Sequence, residues 1–189
     1  MKAIGDVIVE IDGALTSFGV DHAFGGALAL AYYAEPRGTV DIDINVGTSY
    51  ESRAELLAQF RVLGWRADDL AAESLPAAGT RLHQIGESVV IDLFFSFNDY
   101  HGDVLNRAVV KPFLYDGKRY AIPFLSADDL VVFKISFGRP KDWVDIQAMV
   151  RAGTTIDPDY VERQLIALKE PVGHPAAARF RMLLRNQAP

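Results

Sequence analysis

Residues 40–46 alternate without a break. Val40, Ile42, Ile44 and Val46 fall on one parity, and Asp41, Asp43 and Asn45 fall on the other. A strand is the element whose side chains change sides at every residue, so this segment is expected to be extended, with its apolar face packed against a core. The polar face raises a separate question. Two carboxylates side by side on one strand repel each other unless a positive charge lies between them. A hard divalent cation, Mg²⁺ or Mn²⁺, would answer it. So would a solvent-facing edge strand, and this segment alone does not choose.

The chain just upstream adds chemistry. A short apolar run ends in Ala23, Phe24, Gly25 and Gly26, and residues 27–34 continue as a good helix. A strand, a glycine pair and a helix N-terminus can cradle phosphate, because glycine lets the backbone approach closely and first-turn N–H groups attract anions. A lone glycine pair is more often a plain tight turn. Here Pro36, Arg37, Gly38 and Thr39 follow, and then at once the acidic strand. Anion cradle, cation and two carboxylates thus fall within one strand–helix–strand unit.

With Gly25, Gly26, Ala27 and Leu28, then Arg37, Thr39, Asp41, Ile42 and Asp43, the chain resembles the nucleotidyltransferase superfamily of DNA polymerase β. Within it, the form looks most like the small bacterial AbiEii-type toxin branch and its relatives, over about residues 20–150. Gly26 stands where many members carry a serine that helps hold the nucleotide phosphates. The resemblance implies an α/β (α+β) fold, the mixed β-sheet of the minimal nucleotidyltransferase fold flanked by helices. It also implies a Mg²⁺- or Mn²⁺-dependent transferase that moves a nucleoside monophosphate from an NTP, ATP among the candidates, to an acceptor hydroxyl on RNA, protein or a small molecule. A toxin–antitoxin or phage-defence setting, with a cognate antitoxin protein as partner, comes with that branch. On this reading Asp41 and Asp43 are catalytic and hold metal, while Gly25, Gly26, Arg37 and Thr39 bind the nucleotide.

A third carboxylate can be sought on physical grounds. Residues 81–85 and 89–95 read as a hairpin around Gly86, Glu87 and Ser88. Asp92 interrupts a run that is apolar on both faces, so its strand should be central. A lone buried carboxylate is costly unless paired or metal-bound. Either Arg37 or Arg81 forms a salt bridge with it, or it lies beside Asp41 and Asp43 and completes a three-carboxylate metal site. The resemblance implies the second, with Asp92 also helping to take the proton from the attacking hydroxyl.

A second cluster opens at Ser126, which with Asp129 approximates a capping box. Leu130, Phe133 and Phe137 make the expected buried face of the helix that follows. Lys134 lies beside that stripe, where it needs either an anionic partner or a packed stem with its head in water. Lys134, Arg139, Asp142 and Asp145 resemble the family's downstream motif. This implies that Lys134 is catalytic and contacts nucleotide phosphate, and that Arg139 binds nucleotide. Asp142 and Asp145 serve as readily as a helix cap and a salt-bridge partner.

The chain has 189 residues, half of them hydrophobic. Residues 1–125 are read as the catalytic core and residues 126–189 as a helical part closing the cleft. No apolar run reaches membrane-spanning length and no signal-peptide pattern opens the chain, so a cytoplasmic protein without membrane contact is expected. The lack of cysteine excludes disulfides, thiolate zinc sites and cysteine nucleophiles. His22, His83, His101 and His174 show no ligand spacing, and His22 and His83 are expected to satisfy local hydrogen bonds. A net charge of −6 argues against a dedicated nucleic-acid binder. Arg179, Arg181 and Arg185 nonetheless lie within two turns, as a solvated face or a docking strip for an RNA acceptor.

The expected order is a helix over 3–17, a strand ending at 24, a helix over 26–34, the acidic strand, and a helix over 50–63. A loop at 76–79, the hairpin, a short helix near 100–107 and a second hairpin turning at Asp116 and Gly117 come next. Helices over 126–137, 140–151, 158–169 and 175–186 close the chain. Two rival readings stand beside the transferase: a non-catalytic nucleotide- or protein-binding relative of the same fold, and a glycosyltransferase, which also uses an Asp-x-Asp pair but normally needs a longer region before it.

Overall fold

A computed structural model describes residues 2–67, 79–169 and 175–185. Among these, a mixed seven-stranded sheet is flanked by eight helices, the mixed α/β architecture expected from the sequence. The strands are β1 (His22–Phe24), β2 (Asp41–Ser49), β3 (Arg66–Ala67), β4 (Gly79–His83), β5 (Val90–Ser96), β6 (Val109–Tyr115) and β7 (Lys118–Phe124). They lie in the order β3-β4-β5-β2-β1-β7-β6. The helices are α1 (Ile4–Ser17), α2 (Gly26–Leu30), α3 (Arg53–Val62), α4 (Asp99–Asn106), α5 (Ala127–Phe137), α6 (Pro140–Arg151), α7 (Pro158–Lys169) and α8 (Pro175–Arg185).

Strand β2 sits in the middle of the sheet. It pairs antiparallel with β1 and parallel with β5, in a register that sets Ile42 against Ile91 and Asp43 against Asp92. Ile42, Ile44 and Val46 are essentially sealed from solvent on one face, so slipping the strand by one residue would bury its acids and expose that row. Central placement removes the edge-strand reading of the acidic segment. Strand β5 pairs antiparallel on its other side with β4, its hairpin partner, which sets Arg81 opposite Asp92.

Local signals account for most boundaries. The β6–β7 hairpin turns through Asp116 and Gly117, both at positive φ (48° and 67°), the conformation a two-residue type I′ turn demands. Ser126 caps α5 by accepting a hydrogen bond from the Asp129 N–H at 3.1 Å, and Gly138 ends that helix in the left-handed conformation. Asp157 accepts from the N–H groups of Asp159 and Tyr160 ahead of α7.

Several expectations need correction. Helix α2 stops at Leu30, α3 begins only at Arg53, and β2 runs on to Ser49. Of the loop expected at 76–79 only Gly79 is among the described residues, and His174 and the end of the last helix at 186 also fall outside them. Leu130 is buried, but Phe133 and Phe137 are only half-buried; helix α5 is instead enclosed from Asp129 to Val132 and at Lys134 and Ile135. The reason is its packing against three other helices, α2, α6 and α7, which leaves it no solvent face of ordinary width. His22 contacts Asp12 and the Val20 carbonyl, each at 3.0 Å, as expected. The Nδ1 of His83, by contrast, finds no hydrogen-bond partner among the described residues.

Candidate active site

The polar face of β2 opens into a pocket of about 210 Å³. Asp41, Asp43 and Asn45 line it from β2, Asp92 from β5, Gly26 from the start of α2, and Lys134, Arg139 and Asp142 from α5 and the α5–α6 junction. Arg37 and Thr39, from the segment before β2, complete the same wall. The structure therefore brings the sequence-selected residues together, Gly25 lying immediately behind Gly26.

The glycine turn is tied to the acidic strand by backbone. The Gly25 N–H donates to the Asp43 carbonyl at 2.8 Å, which seats the first turn of α2 over the Asp43 side chain. Gly26 has φ +53°, and a Cβ built there would come to 1.7 Å from Asp43 Oδ2. A side chain at this position would require the Asp43 carboxylate to shift. Thr39 acts on the strand rather than on the pocket alone: its hydroxyl donates to the Asp41 carbonyl and accepts from the Asp41 N–H.

The acids are electrostatically crowded. Burial, then the neighbouring charges of Asp92 and Asp41, push the Asp43 carboxyl up to about 6, against partial relief from Lys134 and Arg139. Hard oxygen donors with uncompensated negative charge fit Mg²⁺ or Mn²⁺ in kind. Asp41 and Asp43 are the residues best disposed to hold such an ion. Asp92 is engaged otherwise: both its oxygens accept from Arg81, from Nε and Nη2, each at 2.7 Å. Arg81 Nη2 also comes within 3.9 Å of Asp41. Among the described residues, no three acidic or histidine side chains are arranged to grip an ion in this conformation.

The cations are paired as well. Lys134 is only 3% exposed and donates to Asp145 Oδ2 at 2.6 Å, so the stem-packed, water-facing lysine is ruled out. Arg37 grips the same carboxylate through Nε and Nη2 at 2.9 and 3.0 Å. Burial alone would raise the Asp145 carboxyl, but the hydrogen bonds from Arg37 and Lys134 outweigh it and hold the group below its ordinary value. Asp142 caps α6 by accepting from the Arg139 N–H at 3.1 Å, and it also accepts from Arg139 Nε at 2.8 Å. Asp142 and Asp145 are thus the cap and the ion-pair partner.

Of the two arginines that the sequence offers as salt-bridge partners of Asp92, Arg81 takes that place and also lines the pocket. Lys141, a further pocket residue, is not picked out in sequence; exposed near the start of α6, it carries no distinguishing signal there. The α8 arginines are partly committed elsewhere: Arg181 pairs with Asp159 and Glu162, and Arg179 lies over the Trp143 ring at 3.9 Å.

No protein-family profile matches the sequence, and no curated protein matches it. Solved structures do match in fold. The antibiotic-resistance factor ANT(2'')-Ia aligns over 96% of this chain and 95% of its own, with a TM-score of 0.60 at 18% identity. A nucleotidyltransferase-like protein from Paracoccidioides brasiliensis aligns over 96% and 85%, at 0.53 and 18%. The lincosamide antibiotic adenylyltransferase LnuA aligns over 81% and 98%, at 0.52 and 14%. At these identities the likeness is one of architecture: the chain has the nucleotidyltransferase fold. No helix among the described residues is long and apolar enough to cross a membrane.

Proposed function

We propose that this chain is a metal-dependent nucleotidyltransferase that moves a nucleoside monophosphate from an NTP to an acceptor hydroxyl. The observation that carries the reading is the register of β2 on β5, with Asp43 level with Asp92 and the Gly25 turn hydrogen-bonded to Asp43's own carbonyl. Phosphate cradle and carboxylates then serve one reacting centre.

On this reading the triphosphate lies over the Gly25–Gly26 turn, and Asp41 and Asp43, with Asp92, are the ligands for Mg²⁺ or Mn²⁺. When bound, divalent metal stabilises both the attacking and the leaving oxygens of an in-line displacement. The acceptor oxygen forms a bond to the α-phosphorus, the bond from that phosphorus to its bridging oxygen breaks, and pyrophosphate leaves. Asp92 receives the hydroxyl proton. Arg37, Thr39, Lys134 and Arg139 line the path of the phosphates, and the positive charges of Arg37, Lys134 and Arg139 offset the charge that develops there. The helices from residue 126 onward close the cleft.

Small hydroxylated molecules lead among acceptors. LnuA was solved with lincomycin bound and ANT(2'')-Ia with adenylyl-2''-tobramycin, and here half-buried Phe94, Phe133 and Phe137 form an aromatic wall beside the acids. An RNA or protein acceptor, with a cognate antitoxin and a toxin or defence role, rests on the AbiEii-like motif alone. The test is incubation with each α-labelled NTP, Mg²⁺ and a panel of aminoglycosides, lincosamides, total RNA and cell lysate. Label should pass to one acceptor class with wild-type protein and not with Asp43→Asn. No transfer from any nucleotide to any acceptor would overturn the reading.

A further inference from the structure

Arg81 has no part in the reaction as set out above, yet it occupies the middle of the acid cluster. It reaches the cluster from β4, directly opposite Asp92 in the hairpin register. Its Nε and Nη2 engage both Asp92 oxygens at 2.7 Å, and Nη2 stands 3.9 Å from Asp41. The Asp92 side chain is 5% exposed while that of Arg81 is 30% exposed, so the arginine has solvent to move into and the carboxylate does not. A forked guanidinium satisfies a carboxylate in two directions at once, leaving Asp92 little capacity for another ligand.

Resting on the metal-dependent reading, we propose that Arg81 is a positioning residue. It is the resident counter-ion of the acid cluster, and a divalent cation must displace it from Asp92 before all three carboxylates act together. The arrangement solves a problem of the resting site. Asp41, Asp43 and Asp92 would otherwise face one another with cations only on the α5–α6 side, where Lys134 and Arg139 already have partners. Arg81 neutralises the far side of the cluster and gives it up to an ion of higher charge. Once released, its guanidinium is tethered at the pocket rim, where a polyanionic nucleotide would arrive. Metal arrival and nucleotide docking are coupled through one side chain.

The experiment is a Mn²⁺ titration followed by the EPR signal of free Mn²⁺, without nucleotide, on wild type, Arg81→Met and Arg81→Lys. Arg81→Met should bind Mn²⁺ at least about tenfold more tightly, because no bidentate charge-assisted pair has to be broken first. Arg81→Lys should fall between the two, because lysine keeps the positive charge but not the bidentate fork. A structural role alone would leave affinity unchanged or lower it, and either result in folded Arg81→Met would overturn the proposal. Should Arg81→Met fail to fold, wild type decides: the Arg81 Nε–Hε resonance should shift as Mg²⁺ saturates the site, and an unmoved resonance would overturn the proposal. Equal affinities in wild type and Arg81→Met remove only the role of Arg81. Absence of Mn²⁺ binding from every protein, with or without NTP, removes the metal-dependent reading along with it.

Discussion

Replacing Asp43 by asparagine should make the metal-free protein more stable, by an amount that depends on pH. In the folded protein the Asp43 carboxyl is raised from 3.8 to about 6. Below pH 4 it is protonated in folded and unfolded chains alike and contributes no penalty. As pH rises toward 6 the unfolded chain has released its proton while the folded chain still holds it, so folding stability falls through that window. Above 6 the penalty is complete. A shift of this size corresponds to about 3 kcal/mol; the residue keeps some solvent access, so about 2–3 kcal/mol is the expected gain at pH 8. Asparagine has the same shape and no charge. Urea unfolding of both proteins in chelator-treated buffer at pH 4 and pH 8 measures the gap directly. It should stay under about 1 kcal/mol at pH 4 and open at pH 8. Added Mg²⁺ should narrow it by stabilising wild type alone. An asparagine variant equal to or weaker than wild type at pH 8 would refute the reasoning, because the acid cluster would then not be under strain.

Three further outcomes follow from the same geometry. Gly26→Ala should displace the Asp43 carboxylate and cost about 1–2 kcal/mol in backbone conformation alone, read as a lower melting temperature together with lost Mg²⁺–NTP binding in calorimetry. Asp145→Ala leaves buried Lys134 with only the more distant Asp142 at 4.0 Å and removes the carboxylate that Arg37 grips, and should cost about 2–4 kcal/mol in chemical denaturation; Asp145→Glu should recover part of that. Asp129 is fully buried and accepts from Tyr100, Arg107, Ser126 and Tyr160, so Asp129→Ala should cost about 3 kcal/mol or more in the same assay.

Much of the site was legible because it is local. The parity of Asp41 and Asp43 fixes their common face, the glycine pair lies within twenty residues of them, and the Asp116–Gly117 turn announces its own hairpin. What stayed hidden depends on partners brought from far along the chain. Asp145 binds Arg37 and Lys134 at once, and no periodicity in α6 reveals that the loop before β2 will reach it. Asp129 looks in sequence like a simple cap residue; its role as an anchor depends on tyrosines from α4 and α7. Phe133 and Phe137 carry the helical spacing of a core face, and spacing cannot distinguish a core from the wall of a cleft. Arg81 stands beside Arg37 in sequence as a candidate partner for Asp92, and the choice between them turns on a hairpin register that the six residues between β4 and β5 leave undetermined.

The parallel docking of β2 on β5 also bears on how the chain reaches its native state. Asp43 and Asp92 are 49 residues apart and become neighbours only when these strands meet; no turn can deliver them to each other early. Long-range parallel pairing is the slow kind of step in folding, and here it forces like charges together. The β4–β5 and β6–β7 hairpins need no such long closure, so the pairing of β2 with β5 is the step expected to limit their assembly into one sheet.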